Sequence, residues 1–130
     1  MEPTLKFIGK VHSDLKRLED CPLQENELAP EASIEIFSEF AEGIKNVKKG
    51  SELLLFTWLH KSDRTEIKTK PRNNPEAPLT GVFSTRSPNR PNPIGIHEVK
   101  VLSISKEGMI KISGLEVLDQ TPLIDIKPKF

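Results

Sequence analysis

Apolar residues in this chain alternate with polar ones over short runs more often than they recur at helical spacing, so the pattern predicts strands. Leu5 to Val11 alternates as an edge strand that ends at His12-Ser13-Asp14. Ile34-Glu35-Ile36-Phe37 begins a second strand, and Phe40 to Ile44 reads as a short helical turn closed by Gly43. Leu53 to Leu59 is a continuous apolar run, too short and too closely flanked by turn residues for a core helix, and predicts a buried central strand. Val99 to Ile104 and Met109 to Ile112, joined by Lys106-Glu107-Gly108, make the cleanest hairpin. Gly114 to Leu118 is a last strand or a turn, and Pro122 to Pro128 an extended tail. Residues 14–31 read as an irregular excursion, and residues 61–79 as a long loop of the functional or partly disordered kind. The predicted fold is mostly β: one domain over residues 1–130, a small antiparallel β-barrel with long irregular loops, because closure removes exposed edges.

Composition narrows the function classes. A chain of 130 residues with 35% hydrophobic content fits a single modest core. SELLLFTWLH is its longest apolar run and is strand-sized, so no membrane partner is expected. The opening MEPTLKFIGK has no signal-peptide pattern, and the lone Cys21 allows no internal disulfide framework; both predict a cytoplasmic protein. Charge is balanced overall, 19 basic against 19 acidic, but unevenly spread. Residues 1–42 hold four basic and ten acidic residues, which leaves fifteen against nine in residues 43–130. The basic excess peaks between residues 60 and 90, a patch that suits a phosphate backbone as well as a solvated loop face.

The most distinctive stretch is GVFSTRSPNRPNPIG, residues 81–95. Pro88, Pro91 and Pro93 fix their own φ and extend the residues before them, so the stretch is expected to be neither helix nor inner strand. A loop stiffened in this way loses little entropy on binding. Arg86 and Arg90 each carry a guanidinium able to grip a carboxylate or phosphate bidentately. The stretch therefore suits an anionic ligand.

Other chemistries find less support. His12, His60 and His97 are widely separated and Cys21 has no cysteine partner, so no metal site is expected. A Cys21–histidine nucleophile pair is weaker than the reading of Cys21 as filler or a surface thiol. The glycines never cluster, which excludes a Gly-rich phosphate loop of the Rossmann or P-loop kind. His60 and Lys61 stand where the central strand runs out, in reach of a site or merely capping the strand. Glu116 to Asp119 place carboxylates before a turn at Pro122, a site element or a solvent-facing turn.

TRSPNRPNPIG at 85–95, WLHKSDR at 58–64 and LDQTPLIDIKP at 118–128 together resemble the TsaA-like domain, also called the YaeB or TrmO family. Phe7-Ile8-Gly9 and Cys21-Pro22-Leu23-Gln24 fall where that family places its first strand and a ligand loop, so the resemblance spans essentially the whole chain. It implies a small β-barrel that works as a homodimer, binds S-adenosyl-L-methionine and lacks the usual methyltransferase fingerprint. Characterised members methylate N6 of N6-threonylcarbamoyladenosine beside the tRNA anticodon, so tRNA is the implied substrate. Position by position, the resemblance places cofactor contacts at Pro22, Leu23, Gln24, His60, Lys61, Arg86, Ile96, Glu116, Val117, Leu118 and Asp119. Arg86 would meet the cofactor carboxylate, Glu116 or Asp119 the sulfonium, and main chain near Ile96 and Leu118 the adenine. Arg90 and Asn92 would then hold RNA or the modified base.

Methyl transfer from a sulfonium needs mainly alignment, but the acceptor nitrogen is a poor nucleophile and a base would help. His60 and Asp119 are both candidates, and no catalytic base is assigned. Four positions depart from the family pattern: Leu23 stands where arginine is common, His97 where serine is, Gln120 where glycine is and Lys129 where tyrosine is. Longer bacterial members also continue into a second domain beyond the position of Phe130. These differences keep two rivals in play, a non-catalytic module that binds the cofactor or RNA without turnover, and a plain interaction domain without ligand.

Overall fold

A computed structural model describes residues 2–14, 31–70 and 74–130. Six strands close into an antiparallel barrel in the order β1-β2-β7-β6-β3-β8. They are β1 (Gly9–His12), β2 (Ala32–Ile36), β3 (Glu52–Trp58), β6 (Ile94–Ile104), β7 (Met109–Ile112) and β8 (Pro122–Pro128). Between β3 and β6 a two-stranded ribbon pairs β4 (Lys68–Thr69) with β5 (Thr80–Gly81). The predicted mostly-β barrel is therefore the observed fold.

Alternation along each strand builds the core. Val11, Ile34, Leu55, Val101, Ile110, Ile112 and Leu123 point inward and are essentially inaccessible. Residues 113–121 cross one mouth of the barrel without forming a strand, and Leu115, Val117 and Leu118 plug it. A 3₁₀ helix, Ser38–Ile44, covers the other mouth, where Phe40 and Ile44 pack against the core.

Several sequence expectations are corrected by pairing that no local pattern reveals. The first strand is shorter than Leu5 to Val11 and is no edge, because β1 pairs β2 on one side and β8 on the other. Pro122–Pro128 is no tail: β8 bonds to both β1 and β3 and completes the barrel. Its prolines sit at the two ends, where a missing N–H costs the ladder least. The proline-arginine stretch contains a 3₁₀ turn at Val82–Ser84, and β6 begins at its last two residues, Ile94 and Gly95. Gly43 lies inside the 3₁₀ helix rather than closing it, and the supposed irregular loop after residue 61 carries the β4–β5 ribbon.

Because all barrel strands alternate in direction, the connections β1–β2, β3–β6 and β7–β8 leave from the same mouth. Ser13 and Asp14, the run from HKSDR to the start of β6 at Ile94, and LEVLDQT lie in those three connections. Topology thus gathers at one end residues that are up to about a hundred positions apart in the chain.

Candidate functional site

The loop bearing Arg86 is shaped by its neighbour Arg90. Arg90 Nε donates to the Ser87 carbonyl at 2.7 Å, and Nη2 donates to the Val82 carbonyl at 2.8 Å and to that of Thr85. A planar fork carries five donors in fixed directions, so it reaches three carbonyls spread around the turn, where a lysine would offer three donors from a single nitrogen. Thr85 tightens the same turn, its N–H and Oγ1 both donating to the Val82 carbonyl. Val82 is fully buried beneath it. Asn92, the other residue expected to face substrate, accepts through Oδ1 from Arg64 Nη2 at 3.3 Å. Both residues expected at the substrate are thus engaged in holding the loop.

Arg86 differs. It is exposed on this braced turn and has no hydrogen-bond or ion-pair partner among the described residues. A guanidinium left open on a rigid loop is poised for an external anion.

Ile96 shows a second open group. Leu59 N donates to Pro93 O and Val101 N to Ser51 O, so the hydrogen-bonded pairs between β3 and β6 fall at residues 95, 97 and 99. Ile94, Ile96 and Glu98 therefore turn their N–H and C=O away from β3. On that side β7 reaches β6 only at Val101, Ser103 and Ile104. The N–H and C=O of Ile96 consequently have no main-chain partner among the described residues. Exposed strand edges of this kind accept planar polar groups readily.

Under that edge lies a polar pair in the barrel interior. Thr57 Oγ1 and His97 Nε2 are 2.7 Å apart, and both residues are buried. Gly95 makes room for them, since a Cβ there would come within 2.7 Å of each. Gly95→Ala should destabilise the fold by about 1–3 kcal/mol through overpacking, whereas Gly81→Ala, with nothing within 4 Å, should change little. Thermal unfolding of the two variants checks this.

His60 and Lys61 follow β3 and are both exposed. Partial burial, and then the Lys61 charge, lower the His60 pKa below its ordinary 6.5. The folded state thus binds the His60 proton less readily than the unfolded chain. Its contribution to stability is complete above pH 6.5 and is lost as pH falls through the lowered folded value. An NMR titration should show His60 titrating below 6.5, and His60→Gln should flatten the pH dependence of stability in that window.

Across the mouth, Asp119 Oδ1 accepts from Ser13 N at 2.9 Å and Oδ2 from Gln120 Nε2 at 3.2 Å. Gln120 holds a left-handed φ of 70°, which explains why glycine suits this position. Gln120 Nε2 also approaches His12 Nδ1 at 3.4 Å, and His12 Nε2 meets Glu35 Oε1 at 2.8 Å. Glu116 is half-buried, and Val117 and Leu118 face the core. A cleft of about 610 Å³ opens here between His12, Ser13, Lys111 and Asp119. A second, of about 730 Å³, lies at the opposite mouth beneath the 3₁₀ helix and contains none of the expected residues. His60, Lys61 and Arg86 line neither of these two clefts, and what they share with Asp119 is the mouth their connections leave from. Pro22, Leu23 and Gln24 lie outside the described residues. Among the described residues no group of three or more His, Cys, Asp or Glu could hold a metal, and no helix is long and apolar enough to cross a membrane.

The sequence reading missed Thr57, Ser13 and Arg64. Arg64 stood within the WLHKSDR motif, but nothing local shows that its side chain reaches Pro91 and Asn92, which lie 27 and 28 residues away.

Together these features define a small closed β-barrel whose loops gather at one mouth an exposed arginine, a strand edge unpaired among the described residues, and carboxylates, with no glycine-rich phosphate loop. Residues 10–130 match the tRNA-methyltransferase O N-terminal domain, and the chain belongs to that family. It is 40% identical over 127 residues to VirR of Rhizobium radiobacter, described as a probable S-adenosyl-L-methionine-binding protein, covering 98% of this chain and 71% of that one. A probable S-adenosyl-L-methionine-binding protein of Methanothermobacter thermautotrophicus is 35% identical over 130 residues, 100% of this chain and 92% of the relative. The crystal structure of a TrmO superposes with a TM-score of 0.77 at 29% identity, covering 100% of this chain and 58% of that one. TrmO from Pseudomonas aeruginosa gives 0.75 at 28% identity, with 100% and 57% covered. The chain thus spans a little over half the length of these solved TrmO chains.

Proposed function

We propose that this protein binds S-adenosyl-L-methionine at the mouth shared by the β1–β2, β3–β6 and β7–β8 connections and transfers its methyl group to tRNA. The acceptor we infer is N6 of N6-threonylcarbamoyladenosine beside the anticodon. The observation that carries the reading is that Arg86 and the Ile96 main-chain edge, both without a hydrogen-bond partner among the described residues, stand on one proline-stiffened stretch. The cofactor presents a carboxylate and an adenine, and these two groups supply what each requires. Bound there, the cofactor would supply an activated methyl on a sulfonium. Glu116 and Asp119 bring carboxylates to the same end for that charge. His60, kept neutral by its lowered pKa, suits the acceptance of a proton near pH 7 better than Asp119, whose oxygens already take two donors.

The outer face of β3 and β6 supports a homodimer. Phe56 pairs with Ile96 and Trp58 with Ile94, and these isoleucines are 38% and 44% exposed. An apolar strip of this kind on a small barrel fits a second copy of the chain. Ile94→Glu should shift the protein to monomer in light scattering without unfolding it. The reading also implies action in the cytoplasm, where tRNA is modified.

A second reading follows from the relatives' descriptions, which say S-adenosyl-L-methionine-binding protein. A module that binds the cofactor without turnover would satisfy the same geometry. Transfer of labelled methyl groups into tRNA from a strain lacking the modification separates the two. Incorporation at the modified adenosine establishes the enzyme, and tight cofactor binding without incorporation establishes the module.

A further inference from the structure

The loop carrying His60 and Lys61 and the loop carrying Arg86 meet at one junction, and its centre is a residue outside the expected ligand set. Arg64 Nε donates to the Pro91 carbonyl at 2.8 Å, its Nη2 donates to Asn92 Oδ1 at 3.3 Å, and its guanidinium lies 5.0 Å from the centroid of the Trp58 ring. The neighbouring Asp63 ties the same two segments. Its N–H donates to Asn89 Oδ1 at 2.8 Å, and its carbonyl accepts from Arg90 N at 3.0 Å. Asp63 Oδ1 also accepts from the Thr65 hydroxyl and N–H, which holds the carboxyl below the usual range and fixes the turn that aims Arg64.

We propose that Arg64 is a positioning residue, which fixes the distance between the His60–Lys61 segment and Arg86 while touching no ligand itself. This rests on the functional reading above, in which both segments contact the cofactor. The physical argument is geometric. The proline stretch is internally stiff and runs from the β4–β5 ribbon at Gly81 to the start of β6 at Ile94, so its tilt is set by what it leans on between them. The guanidinium plane, stacked on Trp58, presents two donors in fixed directions to Pro91 and Asn92 and so fixes that tilt. A ligand bridging two loops binds tightly only when their spacing is set beforehand.

The test combines calorimetric binding of S-adenosyl-L-methionine with emission from Trp58, the sole tryptophan in the chain and thus a direct reporter of the stacked guanidinium. Arg64→Ala should weaken binding about tenfold, the effect of losing one charge-assisted contact, and should alter Trp58 emission with little change in Tm. Arg64→Lys should restore most of the emission, because a cation again lies over the ring, yet leave affinity low because an ammonium lacks the fork. In the Arg86→Ala background, Arg64→Ala should cost less than about twofold, since a residue acting through Arg86 has nothing left to position. Equal losses in both backgrounds would overturn the proposal in favour of direct contact or global destabilisation, and no loss in either would overturn it outright. If the wild type binds no ligand, the functional reading fails, and the junction is judged separately by amide exchange at Arg90. Exchange there that is no faster in Arg64→Ala than in wild type would show that Arg64 does not hold the loop.

Discussion

Arg86→Ala should remove most of the stabilisation that S-adenosyl-L-methionine gives the wild-type protein. At about a hundred times its dissociation constant the ligand should stabilise the wild type by roughly 2.7 kcal/mol. That is a rise of several degrees for a domain of this size. Loss of a charge-assisted contact to the carboxylate should cost about 1.5–3 kcal/mol of binding, a factor of roughly ten to a hundred or more. At the same ligand concentration the variant should therefore gain only about 1 kcal/mol or less. The free variant should unfold within about 0.5 kcal/mol of wild type, because Arg86 is exposed and makes no ion pair among the described residues. This separation matters: a lower Tm in the free variant would give Arg86 a structural role. An unshifted wild type at millimolar ligand would end the cofactor proposal and leave the family likeness as a likeness of fold.

Leu123→Ala should be the most damaging single change in the carboxy-terminal segment. Leu123 is fully buried, and its strand pairs with β1 at Gly9 and with β3 at Thr57, so the side chain sits where the barrel closes. Truncating a buried leucine of this kind costs about 2–5 kcal/mol, a large share of the stability of a small domain. Phe130→Ala is the control, because Phe130 is fully exposed a few residues further on and should change little. Denaturant unfolding of both variants decides the matter. A loss below about 1 kcal/mol at Leu123 would mean that the segment packs on a barrel already closed without it.

Much of the candidate site was legible because short-range chemistry marked it. Prolines at 88, 91 and 93 announce a stiff loop, and arginines within it announce an anion, whatever the loop packs against. The roles within that loop were not legible. Arg86 and Arg90 are equivalent by type and four residues apart, yet one faces outward and the other closes the turn through three carbonyls. Main-chain direction decides between them, and side-chain chemistry does not. The open edge at Ile96 was likewise invisible, because it depends on where β7 stops pairing with β6.

The sequence by itself determined the strand content, the hairpin of β6 and β7, the absence of a glycine-rich phosphate loop, and the proline-arginine stretch. Each follows from residue type or from spacing over a few positions, where sterics and side-chain alternation act directly. Only the tertiary structure decided closure. β8 reads as a proline-bounded tail until it finds β1 and β3, over a hundred and over sixty residues away along the chain respectively. Those pairings are selected by burial of Leu123 and by satisfaction of main-chain groups on both flanks, and neither is local. Closure also fixes which three connections share a mouth. The site is therefore a property of the barrel's topology, while the groups that furnish it belong to the sequence.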